Sequence, residues 1–517
     1  MIALVNICPK TNRTTEESLG LGYLAAQLRH HNVEVEIIDA WLNGYSNEEL
    51  VEQIVGLGPV LWVGISAYET EVESLENLLK ILKARTPETK ILAGGYGPTF
   101  SPEKFLQLDI DAIVVGEAES IVVLINEYIA NGDCDLLDQI AGVHTKMPIT
   151  VEKISSTRYE LDSLKFPARD TLHLAMAKKS YIHLLTSRGC TANCEFCSIV
   201  AFGRKSKMSG WRGRSPNNIV LELMHLHQIG VTHIKIIDDS FLDMERGQEW
   251  LDQVYSLLIK EGIEFKFRVS IRAEAVNHEI TTCLKKIGVE AVAIGIENFS
   301  DDALKRMNKT ARASDNCNAI ETLLKHELRV QGGMILFDPL TTLQEVSINL
   351  DHLGRYPSLL IKGIHSEMFA AEGTTFTKKI KLRYGDKVIR SKMNHVYPFE
   401  NADVALLYSH LRDWQRLMAP VYDKVADPLC APKVISEQQF NELAEVLIEM
   451  NSCGLSFARQ VLESIDSEKS CEQVWQEEKS NLYSRFSSWG GRVDQIYHDA
   501  GLVFDGSSNP FLYQACV

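Results

Sequence analysis

The stretch TSRGCTANCEFCSIV, Thr186 to Val200, gathers three of the chain's eleven cysteines, Cys190, Cys194 and Cys197, within eight residues. The C-x3-C-x2-C spacing lets one compact loop turn three sulfurs toward a common centre. A structural zinc site is closed by four ligands. The next donors here are His225 and His227, in a helical pattern, and Cys283, far along the chain. Three thiolates suit instead a [4Fe–4S] cluster, normally held by four cysteines, with one iron left open to a small molecule. Cys430, Cys453, Cys471 and Cys516 show no compact spacing that would hold a second cluster.

A β/α series positions this loop. Its strand-like runs are YIHLLTS (181–187), THIKIID (232–238), FKFRVSIR (265–272), AVAIGIE (291–297), RVQGGMILF (329–337) and LIKGIHSEMF (360–369). Six βα units over 181–385 resemble a partial (β/α)6 barrel more than an open sheet, periodicity alone not deciding closure, and in either case function is expected at the strand ends. Upstream, residues 1–145 alternate apolar runs (2–7, 33–40, 60–66, 90–95, 111–117) with helical patterns such as 17–31 and 71–85. Continuous apolar strands separated by helices predict a parallel sheet covered on both faces, here a flavodoxin-like doubly wound domain. The polar segment 146–180 reads as a linker. Residues 386–517 are mostly helical in pattern, for example DVALLYSHLRDWQRLM (403–418), and are expected to cap the barrel mouth and shape a substrate pocket.

With 517 residues, the chain has room for about three domains. A formal charge of −16 argues against a general nucleic-acid surface, which needs a basic footprint. No run of about 18 apolar residues predicts a membrane span. MIALVNICPK lacks the basic start of a signal peptide. The odd, scattered cysteines fit a reducing cytoplasm.

The triad, with Phe196 just before its last cysteine, resembles the signature of the radical S-adenosylmethionine (SAM) enzymes, whose loop follows the first strand of a partial (β/α)6 barrel. The resemblance implies that the open iron chelates the amino and carboxylate groups of SAM. Reductive cleavage of SAM would then give a 5′-deoxyadenosyl radical. It also implies SAM-side roles for Asp238 or Asp239 in IIDDSF (236–241), for Arg272 in SIRAE (270–274), and for Glu297 in GIENFSDDALKRMNK (295–309). A guanidinium such as that of Arg272 can pair bidentately with a carboxylate. The family's later Gly-x-Pro segment reads LFDPLTT here, with Asp338 where glycine is common.

The first domain resembles the cobalamin-binding domain of one radical SAM subclass, through GLGYLAAQLR (20–29), VEIIDA (35–40), VGIS (63–66), AGGYGPT (93–99) and VVGEAE (114–119). Glycines without Cβ let a strand end lie against a flat macrocycle. The resemblance implies cobalamin contacts at Ser66, Gly94, Gly95, Gly97, Pro98, Gly116 and Glu117, with Asn12 and Arg13 near the lower face. The loop Cys8 to Gly20 lacks the cobalt-ligating histidine of many cobalamin proteins. Either cobalamin binds without one or the cofactor is lost.

These readings imply a cytoplasmic enzyme with a [4Fe–4S] cluster, SAM and methylcobalamin as cofactors. It would methylate an unactivated carbon of a small-molecule or peptide substrate, with electrons from a flavodoxin or ferredoxin. The alternatives are a non-methylating rearrangement, cyclisation or ring contraction, and a cobalamin-binding sensor.

Overall fold

The computed structural model describes residues 1–8, 15–145, 159–244, 246–361, 363–391, 394–430, 435–465, 467 and 470–504. Asn12, Arg13, Cys516 and most of the first half of the expected linker lie outside them.

The first sheet contains β1 (Ile2–Asn6), β2 (Val35–Asp39), β3 (Trp62–Ser66), β4 (Lys90–Gly94), β5 (Ala112–Val114) and β6 (Val143–His144), in the order 2-1-3-4-5-6. The first five are parallel, and β6 is an antiparallel edge. Side chains alternate between two cores. One holds Val5, Val63, Ile91 and Ile113, the other Leu4, Trp62, Leu92 and Val114. Two apolar faces require helices on both sides, and the flavodoxin-like expectation holds. Parallel register brings Asn6, Asp39, Ser66 and Gly94 to one level at the carboxyl ends.

The second sheet, in the order 13-12-11-10-7, contains β7 (Ile182–Leu184), β10 (His233–Ile236), β11 (Lys266–Arg272), β12 (Val289–Glu297) and β13 (Arg329–Met334). A two-stranded ribbon, β8 (Ser187–Arg188) with β9 (Arg212–Gly213), flanks the cysteine loop. In β11 the buried Phe267, Val269 and Ile271 alternate with half-buried Arg268, Ser270 and Arg272. The apolar face meets the helices, and the polar face looks into the barrel. Among the described residues, the expected sixth strand (360–369) pairs with its neighbour through two bridges, Gln331 to Leu360 and Phe337 to Glu367. Gly363 breaks its run with φ +116°, a value that extended L-residues do not adopt.

The described part of the linker is packed. Leu161, Leu172 and Ala175 are buried, and Leu172–Ala177 is helical. Ala168 donates to Gly22 O at 3.0 Å, and a Cβ on Gly22 would stand 2.6 Å from Ala168 O, so this glycine is the seat of the strap. Arg169 joins Glu17 of the first domain (2.5 Å) to Glu222 of the barrel (2.8 Å).

Three long helices, Ala402–Cys430, Glu437–Ser464 and Cys471–Ala500, share one core with the barrel. The first begins with Tyr408 against Phe337, passes Ile361 at Tyr422, and reaches Tyr181 through the carbonyl of Asp427. Its contacts thus run from strand ends to strand starts along the open side of the barrel. Contacts around the cysteine loop come instead from residues before it. Helix Thr375–Tyr384 and the hairpin of β14 (Ile389–Ser391) and β15 (Asn394–Val396) touch both Glu195 and the first domain.

Candidate functional site

The carboxyl ends of both sheets open onto one cavity of about 690 Å³. Its wall includes Ser66, Gly94, Gly95, Gly116 and Glu117 from the first domain, and Cys190 and Asp239 from the barrel. Seven of the candidate residues therefore meet in one space. Gly97 and Pro98 do not. They are buried beneath the wall, and a Cβ on Gly97 would stand 2.5 Å from the Phe105 ring, so packing fixes this glycine.

The cysteine loop is held on several sides. Gly189 N donates to Asp239 Oδ2 at 2.9 Å. Thr191 donates through N and Oγ1 to Asp243 at 3.1 and 2.6 Å, and receives Arg272 Nη1 at 3.1 Å. Glu195 N reaches Met307 O at 3.0 Å, and Asn308 Nδ2 reaches Asn193 O at 2.7 Å. Phe196 packs against the Met307, Ile335, Met368 and Phe376 cluster, so it anchors the loop. All three thiols are free of disulfides. Among the described residues no group of three or more His, Cys, Asp or Glu side chains is gathered tightly enough for a single metal ion.

Burial pushes the Cys194 thiol up to about 11 against the pull of Lys309, and burial raises Cys190 and Cys197 as well. Binding to a metal must displace those protons. Cys197 caps helix Ser198–Lys205, where the backbone N–H groups of Ile199 and Val200 favour its thiolate.

Asp238 and Asp239 part company. Asp238 is buried and accepts from Thr186 N and Ser187 Oγ, both at 2.7 Å, and from the Thr186 hydroxyl, with Arg246 at 3.4 Å. Its oxygens are occupied in holding the first strand end. Asp239 faces the cavity. Surrounding protein raises its carboxyl to about 6 even though its surface is open to that space. Of the two aspartates, Asp239 is the one that lines the cavity.

Glu297 ends β12 with φ +60°, unusual for a residue with a side chain. The register of β12 against β13 shifts there. Lys309 Nζ lies 3.4 Å from Glu297 Oε1 and 3.0 Å from Gly295 O. A Cβ on Gly295 would stand 2.7 Å from Glu297 Oε1 and 2.9 Å from Lys309 Nζ. The glycine of GIE thus makes room for the pair beside Cys194. Lys309 was not among the residues expected at the site; its only signal in the sequence is the MNK that follows GIE in the same motif. Asp338, standing where glycine is common, is buried, accepts from Arg306 at 3.0 Å and caps Leu340 N at 2.7 Å.

The reading also missed the ion network that binds the two sets of strand ends. Arg188 Nη2 meets Glu119 Oε1 and Arg212 Nη2 meets Glu117 Oε1, each at 2.5 Å, with Tyr159 OH shared between the acids. The Tyr96 ring lies 5.2 Å from Phe202 across the same junction. Arg188 in SRGC and Glu117 and Glu119 in GEAE were the available signals. His225 and His227 pack edge-on against Phe166 and Phe265, as an amphipathic helix requires.

The cavity suits a large flat ligand. A Cβ on Gly20 would meet nothing within 4 Å, and one on Gly94 nothing nearer than 3.8 Å. Both glycines leave open wall where a macrocycle can rest. The deeper wall is apolar, with Leu4, Trp62, Leu92, Val114 and Ile125. No histidine lines it among the described residues.

A cobalamin-type cavity joined to a three-cysteine barrel defines a cobalamin-dependent radical SAM protein. The chain is one of this class: residues 11–125 match the B12 binding domain, and residues 184–346 match the radical SAM superfamily. Its cofactors are a [4Fe–4S] cluster, SAM and cobalamin. It is 29% identical over 348 residues to an uncharacterized methyltransferase of Pyrococcus horikoshii, covering 65% of this chain and 73% of the relative. It is 27% identical over 350 residues to cytidylyl-2-hydroxyethylphosphonate methyltransferase of Streptomyces wedmorensis, covering 56% and 63%. The solved structure of the cobalamin-dependent SAM radical enzyme OxsB with aqua-cobalamin bound superposes with a TM-score of 0.79 at 17% identity, covering 98% of this chain and 84% of that one. At that identity the match speaks for the fold. Among the described residues no helix is long and apolar enough to cross a membrane.

Proposed function

We propose that the protein is a cobalamin-dependent radical SAM methyltransferase that methylates an unactivated carbon of a small molecule or peptide, with electrons from an external donor such as a flavodoxin or ferredoxin. The observation that carries this reading is the single cavity walled by Gly94, Gly95 and Gly116 on one side and by Cys190 and Asp239 on the other. The methyltransferase names of the two relatives support it.

In this reading residues 1–145 hold cobalamin, residues 181–385 hold the cluster and SAM, and residues 386–517 contribute to the substrate pocket. When bound, the cluster and SAM supply a carbon-activating radical, and cobalamin supplies the methyl group. The protein's own part is positioning. Cys190, Cys194 and Cys197 bind iron as thiolates. Asp239 receives a cationic amino group at the cavity wall. Arg272, hydrogen-bonded to Thr191 of the cysteine loop and beside Asp243 and Glu274, would pair with a ligand carboxylate. Lys309 and Glu297 set the charge beside Cys194. The Arg188 and Arg212 pairs keep the two cofactor seats facing each other and help to exclude water.

Anaerobic incubation with SAM, a reductant, cobalamin and candidate substrates tests the reading. S-adenosylhomocysteine and 5′-deoxyadenosine should both accumulate with a methylated product. A product that gains no methyl group, formed with 5′-deoxyadenosine alone, would move the protein to the rearrangement or cyclisation class.

A further inference from the structure

A second polar cluster lies between the sixth barrel position and helix Ala402–Cys430. Leu336 and Phe337 donate to Ser366 O at 2.8 and 3.1 Å, and Met368 N returns to Phe337 O at 2.7 Å. Residues 365–367 therefore stand level with the end of the fifth strand, the height at which barrels carry their chemistry. Among the described residues, four buried side-chain atoms along these two segments have no hydrogen-bond partner: His365 Nδ1, Ser366 Oγ, Arg412 Nε and Gln415 Nε2. A buried polar atom without a partner is costly, and four together mark a place that a ligand completes. Gln415 is only 5% exposed and fills the space left by Gly363, where a Cβ would stand 2.4 Å from Gln415 Oε1.

The orphaned atoms have a common chemistry. Arg412 Nε and the Gln415 amide nitrogen are donors, and a serine hydroxyl and a neutral imidazole can donate as well. Burial, with the charges of Arg412 and Arg416, holds His365 down to about 4, so its ring is neutral near pH 7 and the field it feels is positive. The acids nearby are engaged. Glu367 takes the Tyr408 hydroxyl and lies beside Arg412, and Asp413 pairs with Arg416 at 3.2 Å toward solvent. None of these residues belongs to the cavity between the two sheets.

We propose that this cluster binds an anionic oxygen group of the substrate, a phosphate or a carboxylate, with Arg412 as its charge partner and Gln415, His365 and Ser366 as hydrogen-bond donors. It names the substrate class for the methylation reading and rests on that reading for the reaction, but anion binding is measurable without turnover.

The test uses the full chain loaded with cluster and cobalamin. Hydrogen–deuterium exchange is followed with inorganic phosphate and, separately, with acetate at millimolar concentration. Saturable slowing of exchange in 363–368 and 408–416 is expected with one or both anions, and the better anion identifies the group. Arg412→Gln should weaken that anion's binding about tenfold or more, a loss of about 1.4 kcal/mol. Protection that is absent or falls elsewhere, or an Arg412→Gln protein that binds as the wild type does, overturns the proposal. If the variant fails to fold, the wild-type exchange map alone decides. Substrate-free cleavage of SAM should persist in Arg412→Gln. Its absence from the wild type would sink the radical reading while leaving the anion site standing.

Discussion

Arg188 Nη2 lies 2.5 Å from Glu119 Oε1, and Arg188 stands two residues before Cys190. One ion pair thus ties the shoulder of the cysteine loop to the strand-end loop of the cobalamin domain. The two side chains are 15% and 7% exposed, so removing one partner leaves a buried charge unpaired. Arg188→Gln is expected to lower stability by about 3 kcal/mol or more and to loosen cobalamin binding. Urea midpoints and cobalamin titration by absorbance check both.

The same pair sets an acid limit. Burial raises the Glu119 carboxyl, but the charge and hydrogen bond of Arg188 outweigh it and hold the group below the usual range. A depressed acid contributes stability above its unfolded pKa of about 4.3, and that contribution disappears as pH falls through the folded value. Wild-type stability should therefore drop below about pH 4 more steeply than that of Glu119→Gln. Equal slopes would remove Glu119 from the account.

Glu71 behaves in the opposite sense. It is buried, and burial pushes its carboxyl up to about 7 with only a hydrogen bond from Tyr68 N to oppose it. A raised acid costs stability as pH rises above its unfolded pKa, and the cost is fully present above 7. Glu71→Gln should stabilise the protein by roughly 2–3 kcal/mol at pH 8 and by little at pH 4. Denaturant titrations at the two pH values measure the difference.

Cys194→Ala should abolish formation of 5′-deoxyadenosine from SAM while leaving cobalamin binding largely intact. Mass analysis of the small molecules and the cobalamin spectrum provide the two readouts. Retained cleavage would mean that the cysteine triad is not the cluster site.

Gly295→Ala introduces a carbon where only 2.7 Å separates it from Glu297 Oε1 and 2.9 Å from Lys309 Nζ. The pair must move, at a cost of about 1–3 kcal/mol, and the charge beside Cys194 moves with it. SAM cleavage should fall at least about tenfold, with iron and sulfide content reporting whether cluster retention falls too.

The parts of the molecule with strong local rules were legible in the sequence. The apolar runs around Leu4, Ile65 and Leu92 announced a sheet buried on both faces, and the cysteine spacing announced its own loop. What could not be read was set by residues distant in the chain. Asp238 and Asp239 look alike as neighbours, yet a strand end turns one into the protein and the other into the cavity. Gly97 sits in a glycine-rich motif, but Phe105 explains it. The strap seemed irregular because its order comes from Gly22, Glu17 and Glu222, which lie outside the segment. The turn inside the sixth run could not be read, because hydrophobic alternation says nothing of a glycine with φ +116°.

The strap has a further consequence. Arg169 grips Glu17 of the first domain and Glu222 of the barrel, and the Arg188 and Arg212 pairs fasten the same junction. With the junction fastened in this way, the width of the cavity between the two sheets is set when the chain folds. Moving the two domains apart would break these buried ion pairs together.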